Sequence, residues 1–172
     1  DRGDIKAIGA TTTIEYETYI VKDRAFLRRF DRIDVLEPSR DATIQILLGT
    51  IPRIEYKTGI KMINNRFITT LLMESIVDAT SEYKRVYGLS AMYPDVSLSV
   101  LSGAFSNALF QNKTEVGIKD VYEAIRDSKR IYPDSRVKEC ATFREKFSRI
   151  CEDQGIVLPD VKLEEIDTGN DL

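Results

Sequence analysis

Near the start of this chain apolar residues form short runs or alternate with polar ones; beyond position 39 they recur mainly at three- and four-residue spacing. Ile5-Lys6-Ala7-Ile8-Gly9-Ala10 is a short, mostly apolar run that stops at Gly and Thr, which predicts a strand of a largely buried sheet. Thr11, Thr12 and Thr13 follow at its C-terminal end, the edge where open α/β sheets place residues that meet ligands. Thr12 or Thr13 can cap a helix from about Ile14 to Lys22, with Glu15 and Glu17 in its favourable first turn and Ile14, Tyr16, Tyr19 and Ile20 on an apolar side. A second short helix is predicted from Asp23 to about Arg29, with Phe30 packed beside Arg28 and Arg29. Arg32 to Leu36 then reads as a second strand, with Ile33 and Val35 on one face.

Glu37-Pro38-Ser39 changes the architecture. Pro38 cannot donate to a sheet and Ser39 is a good N-cap, so a helix starts near Arg40, with Ile44, Leu47, Leu48 and Ile51 at helical spacing. Glu37 to Ser39 is the expected hinge between a first part, residues 1–38, and a helical part, residues 39–130. Pro52 is expected to kink or interrupt the first long helix, which stops at Gly59. Further helices are predicted at Asn65 to Tyr83, Asp95 to Phe110, Ile118 to Lys129 and Arg136 to Gln154, with Asn112 to Gly117 a polar turn. The Asp95 helix, rich in Val, Leu, Ala and Ser, should be the most buried. Residues 131–172 are expected to hold an extra helix and a loosely docked or disordered acidic tail carrying Glu164, Glu165, Asp167 and Asp171.

Composition narrows the chemistry. Twenty-five basic residues against 28 acidic ones leave a formal charge of -3, so the whole chain offers no electrostatic argument for nucleic acid or an anionic membrane. With no histidine and only Cys140 and Cys151, a protein-only zinc site and a histidine-based triad are excluded, and no metal site is expected. The two cysteines read as buried structural thiols rather than a disulfide framework, which points to a reducing, cytoplasmic compartment. No apolar run approaches the ~18 residues of a membrane span.

Two features carry candidate chemistry, each with an ordinary alternative. The threonines are either strand-end and cap residues, or hydroxyls that orient an attacking water or touch a phosphate. Arg28-Arg29 is either a solvated helix end, or a pair of guanidiniums offered to the phosphates of a neighbouring subunit's nucleotide, a task suited to their planar, always-charged fork. Spacing alone leaves both choices open.

The residues also carry a resemblance. Ile8-Gly9-Ala10-Thr11-Thr12, Glu15-Tyr16, Tyr19-Ile20, Lys22-Asp23, Arg28-Arg29-Phe30, Val35, Glu37-Pro38-Ser39, Thr43-Ile44, Ile46-Leu47 and Gly49 resemble, in order and spacing, the first nucleotide-binding module of the Clp AAA+ ATPases, the ClpA, ClpB and ClpC unfoldases. The resemblance implies a mostly α fold: the remnant of an AAA+ α/β large subdomain, with two strands and two short helices, followed by an α-helical lid. It implies that Thr12, with Thr11 beside it, is the sensor-1 residue facing the γ-phosphate. Arg28 and Arg29 become trans-acting arginine fingers, and Tyr93-Pro94-Asp95, similar to the family's Leu-Pro-Asp-Lys segment, becomes a lid contact to nucleotide. The implied cofactors are ATP and Mg. The implied partners are other subunits of a homo-oligomeric ring, a hexamer in that family, together with protein substrates and a protease.

Departures from the family pattern are equally specific. Val96 stands at the Lys of that segment, Ala91 at the Arg expected just before it, and Ser99, Ser102 and Gly103 at acidic positions of the next helix. The 172 residues contain no Gly-x-x-x-x-Gly-Lys-Ser/Thr phosphate loop and no apolar strand ending in paired acids that would hold Mg. Two strands do not make a stable buried sheet, so the expectation is the C-terminal part of a larger ATPase, inactive alone. The rival expectation is a non-catalytic helical interaction module descended from the family.

Overall fold

The computed structural model describes residues 5–88 and 92–162, and the chain divides into two units, Asp1–Leu36 and Glu37–Leu172. In the first unit, α1 (Thr13–Glu15) runs on into a π-helical turn (Tyr16–Ile20), and α2 (Arg24–Leu27) follows. Asp23 caps α2, its carboxylate accepting the Ala25 and Phe26 N–H groups at 3.0 and 3.1 Å. Phe30 does not enter a core; it stacks on Phe26, ring centroids 4.3 Å apart, and remains 40% exposed.

Neither Ile5 to Ala10 nor Arg32 to Leu36 forms the strand expected of it. A strand is held by its neighbours' backbone groups, and among residues 5–36 none is offered. Ile8, Ile33 and Val35, whose apolar character suggested sheet burial, are exposed.

The second unit is helical: α3 (Arg40–Thr58), α4 (Arg66–Ala79), α5 (Asp95–Phe110), α6 (Ile118–Asp127), α7 (Pro133–Lys146) and α8 (Ser148–Gln154). The mostly α class therefore stands. Ser39 Oγ accepts the Ala42 N–H at 3.2 Å and starts α3, and Gly59, in the left-handed region at φ 73°, ends it. Pro52 does not interrupt α3. It lies on the exposed side while Ile51 and Ile54 seat the same turn on the core, so packing holds the helix across the missing N–H.

Asn65 Oδ1 caps α4 by accepting the Ile68 N–H at 3.0 Å. Six side chains of α4 and seven of α5, including Val96, Val100, Leu101, Ala104 and Phe105, are buried, so α5 holds the central place its apolar sequence implied. The structure places strands where none were expected: β1 (Lys61–Met62) and β2 (Glu115–Val116) pair in parallel, Lys61 opposite Glu115 and Met62 opposite Val116. Two-residue strands leave no periodic signal, and β2 hides within the predicted polar turn.

The predicted last helix is two helices. It breaks at Phe147, fully buried and stacked on Phe143 at 4.4 Å, and Cys140, Phe143, Phe147 and Cys151 join the same core as α3 to α6. Residues 131–162 are thus part of the helical unit and not an appendage. The segment after Gly155 is docked as far as it is described: Ile156, Leu158 and Val161 pack on the core, the Tyr122 hydroxyl donates to the Pro159 carbonyl, and Arg144 donates to that of Leu158 at 3.1 Å. Glu164, Glu165, Asp167 and Asp171 lie outside the described residues.

Candidate functional site

The threonine corner is organised by one carboxylate. Thr12 is the N-cap of α1: its hydroxyl oxygen accepts the Glu15 N–H at 3.2 Å, and Glu15 Oε2 accepts the Thr12 N–H at 3.2 Å, completing a capping box. The same Oε2 accepts both hydroxyl protons, from Thr11 and from Thr12, each at 3.0 Å. The Thr12 backbone N–H first, then the two hydroxyls, hold the Glu15 carboxyl below its usual range. Both hydroxyls are exposed and their donor capacity is in use. Either must leave Glu15 to donate to a phosphate oxygen.

Arg28 and Arg29 close the last turn of α2, where the Arg28 and Arg29 N–H groups bond the Arg24 and Phe26 carbonyls at 3.4 and 2.9 Å. Both residues are exposed. Arg28 lines, with Arg24 and Leu27, an open hollow of about 500 Å³.

In the helical unit, Tyr93 and Pro94 are half-buried and Asp95 is the exposed first residue of α5. Tyr93 donates its N–H to Glu37 Oε1 at 2.7 Å and its hydroxyl to the Val77 carbonyl at 2.6 Å, while the Arg85 guanidinium lies over its ring at 5.1 Å. Burial pushes the Tyr93 phenol up to about 12. Arg85 Nη1 is 2.7 Å from Glu37 Oε1, a close ion pair. Burial alone would raise the Glu37 carboxyl; the Arg85 guanidinium and the Tyr93 N–H outweigh it and hold the carboxyl below its usual range. Beside them Arg40 grips Asp78 with two bonds of 2.6 and 2.9 Å, and Lys84 joins the Asp78 carbonyl to Glu139.

Sequence reasoning missed Arg85 and the second role of Glu37. Glu37 stands 56 positions from Tyr93, so no local signal could pair them. Ala91 lies outside the described residues, and among the described residues no three His, Cys, Asp or Glu side chains converge on a metal-sized site.

No protein-family model matches the chain. Curated relatives do: a chaperone protein ClpB of Leptolyngbya boryana is 28% identical over 165 residues, 87% of this chain, and one of Corynebacterium efficiens is 30% identical over 144 residues, 84% of it. Heat shock protein 100 of Trypanosoma brucei brucei is 31% identical over 122 residues, 71% of the chain. The chain belongs to the Clp-type AAA+ family. This Clp-type chain spans only 18, 15 and 13% of the length of those relatives. Its fold matches a closed-state cryo-EM reconstruction of Hsp104 with ATPγS and FITC-casein at a TM-score of 0.54 and 21% identity, covering 86% of this chain and 24% of that one.

Proposed function

We propose that this chain supplies the sensor-1 hydroxyl, the trans arginine fingers and the helical lid of an ATP-hydrolysing Clp-type ring that remodels protein substrates. The observation that carries the reading is the order Thr11-Thr12, Arg28-Arg29, then a helical unit beginning at Glu37, within a chain related to ClpB over 84 to 87% of its length. Thr12 serves the γ-phosphate of its own subunit's ATP. Arg28 and Arg29 serve the next subunit's, and Tyr93 to Asp95 contribute the lid face.

The chain's own residues do not complete a nucleotide site. They include neither phosphate loop nor magnesium-holding acid pair, so what they contribute is hydrogen-bond donors and fixed positive charge. When bound, ATP and Mg supply the phosphoryl centre; this chain orients and neutralises it. Glu15 holds the sensor hydroxyls until a phosphate oxygen competes for their protons.

The test is reconstitution. Purified alone, the 172-residue chain is expected to release no phosphate from ATP in steady state. A ClpB whose matching first-module segment is replaced by residues 5–130 of this chain, with its second module inactivated, is expected to hydrolyse ATP. A folded, hexameric chimera without turnover would favour the second reading, a non-catalytic interaction module, which Ala91 and Val96 at the family's basic positions support.

A further inference from the structure

Glu37 is the first residue of the helical unit, and its side chain reaches back into it. A single oxygen, Oε1, accepts the Tyr93 N–H and lies against the Arg85 guanidinium, both at 2.7 Å. Arg85 is 6% exposed and comes from the turn after α4, where its backbone bridges Ile131. A guanidinium so buried needs a carboxylate beside it, and Glu37 is the one supplied. Nearby bonds close around the same point: Arg40 to Asp78 at the end of α4, and the Tyr93 hydroxyl to the carbonyl of Val77. The entry of the chain, the end of α4, the following turn and the residues opening α5 are thereby fastened together.

We propose that Glu37 is a positioning residue: it ties Tyr93-Pro94-Asp95 to the chain's entry into the lid. The two segments then move as one body, and bending falls in the residues before Glu37, not at Glu37 to Ser39. Use of this tie by nucleotide rests on the reading above. The tie itself does not.

The test has two arms. In the full 172-residue chain, exchange of single amides is followed by NMR. Glu37→Ala is expected to speed exchange of the Tyr93 amide by at least about tenfold while Val121 and Ile125 of α6 stay within about twofold. Glu37→Gln, which keeps an acceptor for the Tyr93 N–H, is expected to restore most of the protection, and Asp153→Asn, on an exposed position of α8, to change nothing. A Tyr93 amide that exchanges at the wild-type rate in Glu37→Ala overturns the tie. If Glu37→Ala also loosens α6, Glu37→Gln decides: Tyr93 protected supports the proposal, and Tyr93 unprotected beside an intact α6 overturns it. In the ClpB chimera, Glu37→Ala is expected to raise KM for ATP about fivefold with a smaller change in kcat, and Glu37→Gln to reverse it. An unchanged KM beside accelerated Tyr93 exchange overturns the positioning role. Turnover by the unmutated chimera judges the wider reading separately.

Discussion

Single side chains in this protein are defined by what their polar atoms already hold. The Thr11 and Thr12 hydroxyls share Glu15, the Tyr93 phenol holds Val77, and the two cysteines hold nothing reactive. Burial pushes the Cys140 thiol up to about 11 and raises that of Cys151 as well. Thiolate is the attacking form, so the native chain at pH 8 is expected to react with iodoacetamide on the order of 100-fold more slowly than after unfolding in urea, when both thiols should label. Rapid native labelling of Cys140 would show that its surroundings admit solvent. Arg85 is the counterpart among the cations: its burial and its pairing with Glu37 remove it from any surface role.

At the scale of elements, helices owe their limits to caps and their seats to spacing. Loss of the Ser39 cap leaves Ala42 without its acceptor at the start of α3, so Ser39→Ala is expected to lower the stability of the chain by about 1 kcal/mol in urea unfolding. An unchanged midpoint would mean that Thr43, whose hydroxyl donates to the Ser39 carbonyl at 2.8 Å, holds the turn by itself. These local signals are why much of the helical unit was readable in advance: Ser39, Asn65 and Gly59 mark boundaries by their own chemistry, whereas α7 begins at Pro133, ahead of the start expected at Arg136. Strands carry no such mark. Ile5 to Ala10 and Arg32 to Leu36 have the composition of strands and, among the described residues, no ladder to join, whereas Lys61-Met62 and Glu115-Val116 have a ladder and no pattern. The break at Phe147 was hidden for a related reason, since a buried aromatic continues a helical stripe whether or not the backbone does.

For the whole molecule, the site is a matter of assembly. Threonines and arginines could be singled out by residue type, but the roles proposed for them come from the resemblance, and the Glu37, Arg85 and Tyr93 cluster was invisible because its members meet only after folding. The curated relatives place the chain in the Clp-type AAA+ family, and its fold matches that of Hsp104 over 86% of the chain. On the proposed function, such a chain would act through what it presents to its own nucleotide and to its neighbour's. The most direct measurement is therefore subunit mixing in the ClpB chimera, reading ATP turnover and nucleotide binding together. Rings built with Arg28→Ala or Arg29→Ala are expected to lose turnover by about 10³-fold or more while each subunit binds nucleotide within about threefold of the unmutated chimera. Mutant subunits added to active rings are expected to silence their neighbours. Nucleotide binding that falls as far as turnover, within the mutated subunit itself, would contradict the account.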